Sequence, residues 1–507
     1  MSHLELALAA AASKLGMPTD VVKGGFMLTS AYPLALVYAL IPARQTTLRH
    51  LFSVAASASL WLSLFAAQGL AEIAATCAAT YVAAFFFREK RWMPAAVFVC
   101  VLAHFCARLF AVQVLSSHAQ KFDATTPMMV LVIKLTTFAW NVYDGTKKEE
   151  DVIPELRSKA IRKFPDLLEF FGFAFFFAAF LVGPAFDFND YRDYTNGLGV
   201  FAVSKEGKSR IPSRILPTLR ATLGGLCWMA VMVVFSKTYS YERLVDGTTA
   251  AWPLWKRFLF MQACGLVARS KFYTAWLLSE GACNLVGIGY SGLDKNGEPQ
   301  WDRARNVSVL GFELAQNPKL LIDAWNVRTG FWLKNCVYLR LVKPGQKPGG
   351  LVTFATFLTS ALWHGFHLGY YLTFSLGAVY SMVGRSMRRN VRPLFLEPSK
   401  YAPLKPLYDF LGWLLTWTAI NFIASPFTLW ALDKSIACWA SVGYYALVGL
   451  VVMYLGMEKL GGAQAFRRMG KNAGVVHSRT ASEDMEVPVV AEREVKAVPD
   501  ADLRKRK

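Results

Sequence analysis

The chain has 507 residues, of which 54% are hydrophobic, 14% aromatic and only 18% charged. The apolar residues are gathered into blocks about as long as a membrane span, which excludes a soluble multidomain enzyme and points to an all-α polytopic membrane protein. The net charge of +20 lies between those blocks, where basic residues suit lipid headgroups, orientation signals and phosphorylated ligands, so no nucleic-acid partner is expected.

The first twenty residues are weakly amphipathic and lack the basic-then-apolar form of a cleaved signal, so insertion is expected through internal spans. Apolar blocks follow at residues 26–41, 51–67, 70–87, 94–115 and 127–140, with a basic cluster at Arg88-Glu89-Lys90-Arg91. Residues 146–163 carry charges of both signs and read as a solvated connection. Residues 167–187, LLEFFGFAFFFAAFLVGPAFD, are rich in phenylalanine and end at a Gly-Pro break. Such rings either pack against lipid and other helices or line a channel for an acyl chain.

Further spans are predicted at residues 215–235 and 252–278. The second is interrupted by Arg269 and Lys271. With Lys256 and Arg257 these residues either meet phosphates at the membrane face or serve as interfacial anchors. Between residues 281 and 341 glycines cluster and charges alternate with aromatics, as expected of interfacial or re-entrant helices buried against protein. Two last spans are predicted near residues 407–430 and 436–457. The blocks total roughly eleven crossings, giving a membrane-embedded domain over residues 1–457. Residues 458–507 form a polar tail expected to be disordered and cytosolic. Its final Arg504-Lys505-Arg506-Lys507 is similar to a dibasic retrieval signal for the endoplasmic reticulum.

The stretch around which these blocks are organised is residues 351–384, LVTFATFLTSALWHGFHLGYYLTFSLGAVYSMVG. As one helix it would be about 50 Å long against a hydrocarbon core of about 30 Å, so it must tilt, bend or break. It holds no carboxylate, lysine or arginine, yet His364 and His367 stand in its middle. An ionisable ring there is a functional candidate, because hydrocarbon offers it no water. A proton relay would use it with carboxylates, which the stretch lacks. A metal site would need further ligands, and neither these two histidines nor the eight cysteines, which form no Cys-x-x-Cys pair, supply a set. Serine-hydrolase chemistry lacks its Gly-x-Ser-x-Gly elbow. General-base activation of a lipid hydroxyl needs only a neutral imidazole, and typically accelerates a reaction about 10²–10⁴-fold.

Trp363-His364-Gly365, with Gly369-Tyr370 and Phe374, resembles the Trp-His-Gly-x-x-x-Gly-Tyr-x-x-x-Phe signature of membrane-bound O-acyltransferases. WNVRTGFWLKNCVYLRL (residues 325–341) resembles the asparagine motif of the family's lysophospholipid acyltransferase branch, with Asn326 lying 38 positions before His364 (364 − 326). Trp301-Asp302, residues 172–184 and residues 272–282 are also similar to segments of that branch, most of all its broad-specificity fungal members. One departure is Leu368, where many members carry proline.

The resemblance implies a bundle of roughly eleven transmembrane helices, with re-entrant helices, around an intramembrane chamber. It implies acyl transfer from acyl-CoA, as co-substrate, to the free glycerol hydroxyl of a lysophospholipid at the endoplasmic reticulum, with no cofactor or metal. His364 would be the general base and Asn326 its partner, stabilising the oxyanion or orienting substrate. Trp301, Asp302, Trp325, Trp363 and Tyr370 are candidate substrate-binding residues, and Lys334 and Arg340 either hold phosphates of CoA or anchor a surface helix. His367 and His104 are assigned to packing. The rival functions are sterol or diacylglycerol acylation, whose branch carries a different asparagine motif from residues 321–326 here, and a transporter using the histidine as a relay. Protein acylation is a further alternative. Asn306-Val307-Ser308 is a glycosylation sequon among motif segments.

Overall fold

The computed structural model describes residues 3–16, 19–115, 125–202, 211–342 and 349–473. Among these, helices dominate and the sole sheet is a two-stranded antiparallel ribbon, Gly292–Leu293 with Pro299–Gln300. Among the described residues, five helices are long and apolar enough to cross a membrane: Thr19–Ala39, Ala67–Phe87, Met93–Leu115, Ile215–Phe235 and Ala402–Leu429. The pair Leu432–Ser441 and Tyr445–Glu458, bent by 85°, makes a sixth if it is one broken span. The eleven expected crossings are therefore not matched by this count. Residues 167–187 break into the short helices Leu167–Ala174 and Phe177–Phe180, and the central stretch divides in two.

The chain forms two compact units. The first comprises the described residues up to Leu226 together with Thr274–Asn306. Its core is built by the phenylalanine-rich segment. Phe138, Phe170, Phe173, Phe176, Phe177, Phe188 and Tyr191 are all buried, and they meet one another tilted or edge to face. Such pairs contribute about 0.5–1.5 kcal/mol each beyond their buried area. The rings thus pack against one another in this core. Lys134, buried on the Thr125–Gly145 helix, donates from Nζ to the Phe173 carbonyl at 2.8 Å, near the end of Leu167–Ala174. His104 bonds Thr76 Oγ1 at 2.9 Å, consistent with its assignment to packing.

The second unit comprises Cys227–Tyr273 and residues 307–473 of those described. Tyr241, Met261, Phe422, Trp439 and Leu450 form its core. Arg269 is buried there and makes a forked ion pair with Glu313, both contacts at 2.9 Å, while also donating to Asn421 Oδ1. Tyr273 Oη (2.6 Å) and Trp417 Nε1 (2.8 Å) donate to the same carboxylate. Arg269 is consequently a structural cation and not one that faces a phosphate. The polar segment after Glu458 is folded in part: Gly462–Asn472 is a helix whose Ala463 and Phe466 pack with Met457 and Val391, and Arg467 donates to Asn390 at 2.7 Å. Ala463, Phe466 and Gly470 recur at three- to four-residue spacing and give one helical face to bury, which average polarity conceals. The dibasic terminus lies outside the described residues. Asn306 is buried, which removes its sequon from the surface.

Candidate active site

The central stretch breaks at Gly365. Helix Gly350–His364 ends on the histidine, and Gly365 adopts φ 125° and ψ −157°, a conformation that a side chain would strain. His367 then caps a second helix, Leu368–Asn390. The two helices run back along each other: Phe357 lies against Gly377, and Arg385 reaches Thr353 Oγ1 at 3.4 Å. His364 therefore stands at the apex of a helical hairpin. Leu368 occupies the first helical position and is exposed, a place where proline is also favoured, so the departure from the family signature leaves the turn intact.

Rings surround His364. Phe374 stacks on it at 5.2 Å and 19°, Phe427 meets it edge on at 4.9 Å, and Trp363 and Tyr370 lie at 4.7 and 5.7 Å. Trp363 and Tyr370 are buried, and His364 as a residue is half-buried. His367 faces elsewhere, stacked on Trp430 at 5.0 Å and 8°.

Asn326 sits in the same unit, at the start of helix Val327–Leu333, in the left-handed conformation (φ 45°, ψ 51°) that asparagine tolerates better than most residues. Its Oδ1 accepts from Thr329 Oγ1 at 2.8 Å, which leaves the amide NH₂ as its donor end. Two sets of contacts connect it to the hairpin. Trp332, on the helix that Asn326 caps, packs on Trp363 at 5.8 Å. Trp325, its neighbour, packs on Phe272, which touches Phe427, the ring beside His364. The helix continues into a π-turn, Lys334–Tyr338, a departure from α geometry often met at functional sites. Lys334 opens that turn half-buried, and Arg340 Nε donates to the Asn335 carbonyl at 3.0 Å.

Trp301 and Asp302 belong to the first unit. Trp301 packs on Tyr290, and Asp302 accepts from Ser291 Oγ, so the pair ties the ends of the ribbon-bearing loop. Phe427 and Trp430 were not singled out by sequence reasoning. The Ser-Pro at residues 425–426 was the available signal, since it ends one helix and starts the short Ser425–Leu429 helix that carries Phe427.

The membrane-bound O-acyltransferase family model matches residues 109–425, which include the hairpin, Asn326 and most of the aromatic surround. The chain belongs to that family, and is an O-acyltransferase by that membership. Among curated proteins it is similar to the "Lysophospholipid acyltransferase" of Schizosaccharomyces pombe, at 36% identity over 456 residues, covering 87% of either chain. It is also similar to the "Lysophospholipid acyltransferase" of Saccharomyces cerevisiae, at 35% identity over 85% of this chain and 72% of that one. The "Membrane-bound glycerophospholipid O-acyltransferase 2" of Mus musculus matches at 33% identity over 64% of this chain and 62% of its own.

Proposed function

We propose that the protein is a lysophospholipid O-acyltransferase that uses acyl-CoA as donor, with His364 as general base. The observation that carries this reading is the His364 imidazole at the hairpin apex, walled by Trp363, Tyr370, Phe374 and Phe427 in the same unit as Asn326. The relatives named for lysophospholipid or glycerophospholipid acylation support the acceptor class.

In this reaction the free glycerol hydroxyl attacks the thioester carbonyl while His364 accepts its proton. The tetrahedral oxyanion collapses, the C–S bond breaks, and CoA leaves as thiol with the proton returned by the imidazolium. No acyl-enzyme is formed. The Asn326 NH₂ group donates to the oxyanion or to the incoming acceptor, and a positioned donor at a developing oxyanion is worth about 10²–10³-fold. Rings around the base keep water from competing for the thioester.

The reading includes a chamber open to the cytosol, for the CoA head, and sideways to lipid, for both tails. Lys334 and Arg340 would serve the CoA phosphates. The remaining crossings of an eleven-span bundle would be helices covered by protein instead of lipid, such as the largely buried Thr125–Gly145. Residence in the endoplasmic reticulum membrane suits this chemistry, because lysophospholipids are already in the bilayer.

The test supplies purified protein with labelled oleoyl-CoA and, separately, a panel of lysophospholipid headgroups, cholesterol and diacylglycerol. Labelled diacyl phospholipid is the expected product, with His364→Ala and Asn326→Ala expressed and inserted but inactive. Near-normal transfer by His364→Ala would overturn the assignment.

A further inference from the structure

Trp430 has φ 62° and ψ −47°, a conformation that bulky L residues rarely adopt. It is the centre of a γ-turn, closed by the Ala431 N–H donating to the Leu429 carbonyl at 2.7 Å. This is the rarer, strained form of that turn, and such backbone costs on the order of 1–3 kcal/mol. It persists only where the surroundings over-determine it, and here they do. The Trp430 N–H donates to the Pro426 carbonyl at 2.9 Å, and its own carbonyl accepts from the Gly369 N–H at 2.8 Å. That amide belongs to the first turn of Leu368–Asn390, where backbone donors lack intrahelical partners. The Trp430 ring lies flat on His367. One strained residue thus grips the hairpin apex by backbone and by side chain, on the residues that directly follow His364-Gly365.

Three residues earlier, the same segment presents Phe427 to His364 at 4.9 Å and 85°, and to Tyr370 at 4.8 Å. The opposite constraint on the imidazole is the face of Phe374. Building on the function proposed above, we infer that Phe427 and Trp430 are positioning residues: the strained turn fixes the apex, and Phe427 holds the His364 ring against Phe374 in the orientation that accepts the acceptor's proton. Neither side chain needs to touch the reacting atoms. The purpose of the strain is a rigid stop behind the base, since a mobile imidazole at a chain reversal would forfeit alignment.

The test compares steady-state kinetics of wild type, His364→Ala, Trp430→Gly, Trp430→Phe and Phe427→Leu, purified under one condition, with melting followed in detergent. Active wild type and inactive His364→Ala establish the underlying function, and failure of that pair counts against the function, not the positioning. Glycine relieves the backbone strain and removes the ring, so Trp430→Gly is expected to lose about 10–100-fold in kcat with KM for either substrate within about threefold, as for a displacement near 1 Å. Trp430→Phe restores the stack on His367 and returns kcat to within about threefold of wild type. Phe427→Leu, which leaves the turn backbone alone, loses kcat with KM unchanged, and it decides the matter should Trp430→Gly fail to fold. Wild-type kcat in Phe427→Leu, or a loss in Trp430→Gly carried by KM alone, would overturn the inference.

Discussion

Replacing Gly369 with alanine is the sharpest perturbation available at the hairpin apex. A Cβ there would lie 2.0 Å from the Pro426 carbonyl oxygen, 2.9 Å from its carbon and 3.0 Å from Trp430 Cα. All three are backbone atoms of one short turn, so no side-chain rotation relieves the clash. Ordinary contact begins near 3.4 Å, and the turn must withdraw from the helix by about 1 Å or more. The 2.8 Å bond from the Gly369 N–H to the Trp430 carbonyl goes with it. Overpacking costs typically 1–3 kcal/mol and a lost hydrogen bond about 1 kcal/mol, which together suggest about 2–4 kcal/mol. A displacement of about 1 Å at a catalytic group costs on the order of 10²-fold in rate, an activation penalty of about 3 kcal/mol. Gly377→Ala is the matched control on the same helix. Its nearest neighbour is the Phe357 ring, with Cε1 at 3.1 Å, which can swing aside, and alanine in a helix interior gains about 1 kcal/mol over glycine. Acyl transfer by purified variants should fall about 100-fold for Gly369→Ala and stay within about threefold for Gly377→Ala. Equal effects of the two, or wild-type kcat and melting for Gly369→Ala, would refute the argument that backbone contact at 426–430 sets the apex.

Arg269→Met leaves the largely buried Glu313 carboxylate without its forked partner and should destabilise the protein by about 3 kcal/mol, visible as a lower melting temperature in detergent. Adding Glu313→Leu should recover much of that loss; a raised KM with unchanged melting would instead assign Arg269 to a substrate phosphate. Asn326→Gly removes the amide but relieves the left-handed backbone, so it should be as inactive as Asn326→Ala and more stable by about 1 kcal/mol. Substantial turnover by Asn326→Gly would place the role of this residue in its backbone conformation.

Where composition alone decides an element, the sequence was legible. Residues 215–235 form the helix that their apolar run implies, and the excess length of residues 351–384 forced a break that falls at Gly365, beside the histidine. What stayed hidden depends on contacts between distant residues. Arg269 reads as an interfacial cation until Glu313, 44 positions away, is folded onto it. The Gly462–Asn472 helix is polar on average, and only its buried face against Val391 and Met457 makes it part of the second unit. Phe427 and Trp430 look like ordinary membrane aromatics, because neither a positive φ nor a ring edge 63 positions from its histidine leaves a local trace. The signature residues could be read because they lie within a few positions of each other; their supports could not.

The hairpin also accounts for why a base would stand at the end of a helix and not within one. A helix interior would bury both faces of the ring and hold it to the rotamers that its own turns allow. At the last residue of Gly350–His364 the ring is released from that constraint, and it stands at the negative end of that helix's dipole. In the proposed reaction the imidazole becomes a cation only while the oxyanion exists. A helix C-terminus favours that cation by about 0.3–1 kcal/mol, and more where water is scarce. The stacked face of Phe374 adds a second attraction of the same sign. Both interactions are weak towards the neutral ring and strengthen as the proton arrives, so they lower the barrier without tightening the ground state. Chain reversal at Gly365 is what makes them compatible, for it brings Phe374, ten residues later, back onto the ring that ends the preceding helix.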